Sequence, residues 1–184
     1  MATANDRAVL EAIFNPLYAE LEIVPVDEES EKVENRGDDD DDMEAVRDLE
    51  TQGVEAAEKG EIEKSVQIFT KAIELAPKRA SAFNNRAQAL RFKGDVEGAM
   101  EDLNNAINLS DGQGLVARQA LCQRGLLYRL KERNEEALED FKKAAKLGSP
   151  FAQTQVVQMN PYAALCNQML GQMFAKIRQG EESF

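Results

Sequence analysis

Small and large apolar residues recur along this chain with a period of 34, separated by polar stretches. Between residues 46 and 79 the marked positions are Leu49, Gly53, Ala56, Ser65, Phe69, Ala72 and Pro77. Residues 80–113 answer with Phe83, Ala87, Leu90, Ala99, Leu103, Ala106 and Asp111. Residues 118–151 give Leu121, Gly125, Tyr128, Ala137, Phe141, Ala144 and Ser149. Spacings of three and four inside each copy predict two amphipathic helices joined by a tight turn. Small residues mark where the two helices cross closely, and Phe, Leu or Tyr fill the gaps between crossings. One such unit cannot bury its apolar face alone, so the copies must stack into an all-α solenoid.

The turns carry their own signals. Ala57-Glu58-Lys59-Gly60 and Arg91-Phe92-Lys93-Gly94 end a first helix with glycine at the left-handed position. The third copy departs, with Glu132 in Lys131-Glu132-Arg133-Asn134. Gly53 to Ala87 is 34 steps, whereas Ala87 to Gly125 is 38. The four extra residues fall around Gly112-Gln113-Gly114, and either lengthen the next first helix or enlarge the loop.

Outside the repeats, residues 1–16 predict a short amphipathic helix with Val9, Leu10, Ile13 and Phe14 on one face, stopped by Asn15-Pro16. Residues 17–44 read as an acidic, largely disordered linker, because the stretch from residue 27 holds too few apolar groups to offset ordering entropy. The repeats occupy 45–151, with helices beginning near Glu44. Residues 152–179 predict C-terminal capping helices: a short one from Phe151 to Met159, then one starting at Asn160-Pro161. In the latter, Leu165, Cys166, Met169, Leu170, Met173, Phe174 and Ile177 form a broad apolar face expected to cover the end of the array.

Charge changes the picture once it is divided along the chain. Residues 1–26 sum to −3 and residues 27–44 to −9, so 45–184 is neutral and the formal −12 belongs to the N-terminal tail. Without a net basic surface, nucleic acid is excluded as a partner class, and an acidic tail opposes an anionic membrane surface. The run Asp38 to Asp42 lacks the ligand spacing of a calcium loop. Histidine is absent, and Cys122 and Cys166 form no metal or redox spacing, so no metal or cofactor is expected. Glu135, Glu136, Glu139 and Asp140 share a helix, but with Lys142 and Lys143 nearby they read as a solvated face. No phosphate loop or nucleophile–base pair appears, which predicts a protein that is not an enzyme. No bilayer-spanning stretch or basic-then-apolar leader is present, and the expectation is a reduced, monomeric cytoplasmic protein.

The candidate chemistry is therefore binding. In a stacked array the first helix of each pair lines a concave groove. The first copy offers Arg47, Glu50, Thr51 and Val54 to that groove. The second offers Asn84, Asn85, Gln88, Arg91 and Phe92, and the third Gln119, Gln123, Leu126, Arg129 and Leu130. Amides at this density suit the N–H and C=O groups of a peptide backbone. Arg91 and Arg129 stand at equivalent places and suit a shared acidic group. A second use of the groove is autoinhibitory: Val9, Leu10, Ile13 and Phe14 docking in it, on a tether of about 30 Å by random-coil scaling.

This small-and-large alternation resembles the tetratricopeptide repeat, whose members are mostly binding scaffolds. Many co-chaperones of that class grip the acidic tail of heat-shock chaperones with a two-carboxylate clamp. The clamp takes a Lys and an Asn from the first copy, an Asn from the second, and a Lys and an Arg from the third. Here the matching places hold Glu50 and Val54, then Asn85, then Gln119 and Gln123, so only Asn85 agrees and Glu50 would repel the ligand. Arg118 and Arg124 lie one residue off and point elsewhere.

Three further segments are similar to the tetratricopeptide repeat protein 36 family: NDRAVLEAIFNP, ASAFNNRAQALRFKGDVEGAMEDL and LGSPFAQTQVVQMNPYAALCNQML. That resemblance implies a small three-repeat adaptor with protein partners, among them the 70-kDa heat-shock chaperones or their clients. The alternative is a scaffold subunit of a larger ciliary or cytoskeletal assembly.

Overall fold

The computed structural model describes residues 40–160 together with positions 162, 169, 172 and 173. Seven helices make up this region: α1 (Asp40–Glu58), α2 (Ile62–Leu75), α3 (Ala80–Lys93), α4 (Val96–Leu109), α5 (Gly114–Leu130), α6 (Asn134–Lys146) and α7 (Pro150–Gln158). Each packs on the next in chain order, and the first helices also touch one another, α1 on α3 and α3 on α5. The result is a helical solenoid of three pairs, continued by α7.

Size matching at the crossings explains the pairs. An added Cβ on Gly53 would lie 2.6 Å from the Phe69 ring, and one on Gly125 would lie 2.8 Å from the Phe141 ring. Both phenylalanines are fully buried. In the middle pair the glycine is replaced by Ala87 and the phenylalanine by the smaller Leu103, both within one core cluster. The summed bulk at the crossing is thus held nearly constant. Ser65, at the place of Ala99 and Ala137, is also buried, and its hydroxyl donates to the Gly53 carbonyl at 2.8 Å.

The turn after each first helix is made the same way. Backbone N–H groups of Glu61, Asp95 and Arg133 donate to the carbonyls of Ala56, Leu90 and Tyr128, each at 2.9 Å. The residue inside that turn has φ of 78° at Gly60 and 90° at Gly94, and Glu132 is held at 59° in the same left-handed region. The third copy therefore keeps the turn geometry at the cost of backbone strain at Glu132. Asp95 caps α4 by accepting from the Gly98 N–H at 3.0 Å, and Ser149 caps α7 by accepting from the Ala152 N–H at 3.1 Å.

Several expectations are corrected. The helix containing Met43 begins at Asp40, inside the stretch read as linker, since acidic residues are favoured in a first turn. Of the two alternatives left open for the extra residues before the third copy, the longer first helix is the one observed: α5 has 17 residues against 14 in α3. Asp140 is not on a solvated face but buried. Met169 and Met173 are 61% and 54% exposed, so these two do not cover the array's end. Instead α7 closes the third pair, with Phe151 meeting Phe141 edge to face at a centroid distance of 5.9 Å. The predicted helix with Val9, Leu10, Ile13 and Phe14, and most of the second capping helix, lie outside the described residues.

If size matching sets the crossing, Gly125→Ala will destabilise the fold by about 1–3 kcal/mol in urea melts. Adding Phe141→Leu to that variant, which copies the Ala87/Leu103 solution, will recover part of the loss. A double variant less stable than the sum of the two single ones would refute this.

Candidate peptide-binding groove

The polar residues of α3 and α5 sit where two first helices run side by side, and burial decides what each can do. Asn84, Asn85, Gln88, Gln119 and Gln123 are all buried. Gln123 donates from Nε2 to the Asn84 Oδ1 at 3.1 Å, and Asn84 donates from Nδ2 to the Gln119 Oε1 at 3.4 Å. Three amides read as ligand-facing are thus brought together as a tie between neighbouring repeats. Hydrogen-bonding capacity is left over beside this tie: among the described residues, the Asn85 Oδ1 and Gln123 Oε1 have no hydrogen-bond partner and no access to water.

The arginines at equivalent places differ. Arg129 donates from Nη1 to the Gln155 Oε1 at 2.6 Å, which joins α5 to α7. Arg91 has no such partner: its Nε and Nη1 are sealed from solvent and unpaired among the described residues, with the guanidinium carbon 5.4 Å from the Phe92 ring centre. Burial alone pulls the Arg91 pKa down to about 10, so it is still charged at neutral pH. Beside it Phe92 is 49% exposed, and Leu130, one repeat further on, is also exposed. Leu126 is not available to a ligand, because it is buried in the cluster of Leu121, Phe141 and Phe151. Arg47 stands exposed on α1, where its carbonyl accepts from the Thr51 hydroxyl at 3.0 Å.

Glu50 was expected to repel an acidic ligand, and it does not face one uncompensated. Its Oε2 accepts from Arg79 Nε at 3.0 Å and Nη2 at 2.8 Å, and its Oε1 accepts from the Ser81 hydroxyl at 2.6 Å. Both charges are buried, so the pair clasps the first repeat to the second. Two further ion pairs were missed. Arg86 holds Asp102 through two bonds of 2.7 Å, and Arg124 holds Asp140 through bonds of 2.7 and 2.8 Å. Each arginine also reaches the preceding repeat, to the Thr70 hydroxyl at 3.2 Å and the Asn104 Oδ1 at 2.6 Å. Hydrogen bonds to Asp102 and Asp140 raise the pKa of their arginines against the opposing effect of burial. The signal was present in the chain: Arg and Asp 16 apart, repeated 38 residues later.

Among the described residues no group of three or more His, Cys, Asp or Glu side chains is placed to hold a metal ion. No helix among them is long and apolar enough to cross a membrane.

Compared with known families, the chain matches the tetratricopeptide repeat over residues 51–79, 80–112 and 119–147. It shares the fold of the Arabidopsis OM64 TPR domain, at 25% identity and TM-score 0.58 over 65% of this chain and 97% of that one. It also shares the fold of the second TPR domain of human RPAP3, determined in complex with the HSP70 peptide SGPTIEEVD. That likeness has 24% identity and TM-score 0.54 over 60% of this chain and 91% of that one. The molecule is a tetratricopeptide repeat protein, a class whose fold serves protein interaction rather than catalysis. Human tetratricopeptide repeat protein 36 is 52% identical over the full length of both chains, and the chain belongs to that family.

The buried clasp can be tested directly. Arg79→Met leaves the Glu50 carboxylate without its cation and should cost about 3–5 kcal/mol in urea unfolding. Replacing both, Glu50→Leu with Arg79→Met, should restore most of it. A single variant as stable as the parent would show that the clasp contributes nothing.

Proposed function

We propose that the protein is a non-catalytic cytoplasmic adaptor that holds a peptide segment of another protein across α3 and α5. The observation that carries this reading is the pair of buried, unpartnered acceptors, Asn85 Oδ1 and Gln123 Oε1, on adjoining first helices. Each such atom costs about 1–3 kcal/mol when left without a donor. A peptide backbone supplies N–H donors in a row and would satisfy both. The exposed Phe92 adds an apolar contact beside them.

A co-chaperone role fits this adaptor: a fold neighbour is bound to a peptide of HSP70, and tetratricopeptide groove geometry suits extended segments. The grip here would differ from a two-carboxylate clamp, since Asn85 alone occupies a clamp position and Glu50 is engaged by Arg79. We therefore assign partner choice to backbone amide contacts and apolar anchoring in the middle of the groove.

Affinity capture from a cytosolic extract, read by mass spectrometry, tests the reading. Asn85→Ala with Phe92→Ala should lose the partners captured by the parent chain while helicity by circular dichroism stays the same. A control pair on α6, Glu139→Ala with Lys143→Ala, should retain them. Equal capture by both variants would place the binding surface elsewhere.

A further inference from the structure

Arg91 is a half-buried cation whose Nε and Nη1 are sealed and unpaired among the described residues, and the same position one repeat later shows how the fold treats such a group when it completes the contact itself. Arg129 receives Gln155 from α7. On the next first helix, Gln119 and Gln123 are engaged with Asn84. Asn84 and Arg91 lie seven residues apart and so share one stripe of α3. Among the described residues the unpaired buried atoms of α3 and α5 include two donors, Arg91 Nε and Nη1, and the acceptors Asn85 Oδ1 and Gln123 Oε1. Nε and Nη1 lie on opposite edges of the guanidinium, so each offers one charge-assisted donor to a carboxylate oxygen, and the acceptors match peptide N–H groups.

We propose that Arg91 anchors a carboxylate side chain of a partner peptide lying across α3 and α5. The inference rests on the groove reading above and specifies its ligand: a segment in which one Asp or Glu is flanked by apolar residues. The flanking requirement comes from Phe92 and Leu130, which stand exposed at matching places on the two helices. The chain's own acidic run, residues 27–44, carries the charge but only Val33 and Met43 as apolar residues, too few to cover them. A partner segment suits the site better than this run. The anchor differs in place from the clamp positions, where only Asn85 matches. Burial that depresses the Arg91 pKa in the free protein agrees with a guanidinium poised for an anion.

The test uses the full chain and a blocked Gly-Leu-Glu-Leu-Gly peptide beside its Gln counterpart, followed by the side-chain Nε–H resonance of Arg91. The Glu peptide should shift that resonance and bind about tenfold more tightly than the Gln peptide. Arg91→Met should abolish the discrimination and raise the melting temperature, because it removes a buried unpaired charge. Arg91→Lys should keep the charge preference in part. Equal binding of both peptides, with Asn85 and Gln123 amides perturbed, would overturn the anchor and leave the groove reading standing. No perturbation of any groove residue would overturn both. A lower melting temperature for Arg91→Met would make Arg91 a structural residue and end the proposal. So would a shift of the Arg91 resonance, without peptide, when Glu28, Glu29, Glu31 and Glu34 are changed to Gln, since that would assign the site to the chain's own acidic run.

Discussion

Everything in this array depends on how closely the two helices of a pair approach. A glycine or alanine on the first helix receives a ring or branched chain from the second: Gly53 with Phe69, Ala87 with Leu103, Gly125 with Phe141. Because bulk is traded across the contact rather than added, each pair reaches a similar separation. Similar pairs stack in register, and register is what lines the first helices into one surface. The alignment of amides on α3 and α5 is thus a consequence of steric matching in the interior.

Apolar packing alone tolerates sliding between repeats, and the polar ties oppose it. Arg86 and Arg124 each hold a carboxylate of their own repeat and a neutral group on the repeat before. The first repeat has Gln52 and Ile68 at the corresponding places and is joined instead by Glu50, Arg79 and Ser81. Such pairs add little over an apolar substitute, yet breaking one leaves a buried charge. Their effect is to penalise every misaligned stacking far more than they reward the correct one.

The repeats were legible because size alternation and turn glycines act within one helix pair, over distances that a period of 34 captures. What lay across repeats was not. Asn84, Gln119 and Gln123 have the composition of a ligand surface, and only the rotation between neighbouring pairs decides that they meet each other. Leu126 looks like groove by spacing but turns into the Phe141 and Phe151 cluster because α7 arrives there. Met169 and Met173 look like core by composition and are exposed. Asp140 was read with its acidic neighbours in sequence, whereas its environment is set by Arg124 on another helix. In each case periodicity located the side chain on its helix, and the partner came from tertiary geometry.

The contrast between Arg91 and Arg129 bears on where along the array a ligand belongs. At the C-terminal side, α7 brings Gln155 to Arg129 and Phe151 to Phe141, so the last pair is completed by the chain itself. In the middle, the equivalent cation and two neighbouring amide oxygens are left incomplete among the described residues. A fold that can place a glutamine on one arginine could place one on the other, and doing so would stabilise it. Natural proteins keep such deficits where a binding partner removes them, and selection for contact then outweighs selection for stability. The deficit is local, and the core around it is closely packed, so its cost is borne without disturbing the stack. The middle of this surface is therefore where, among the described residues, most of the chain's unpaired buried side-chain polar atoms lie.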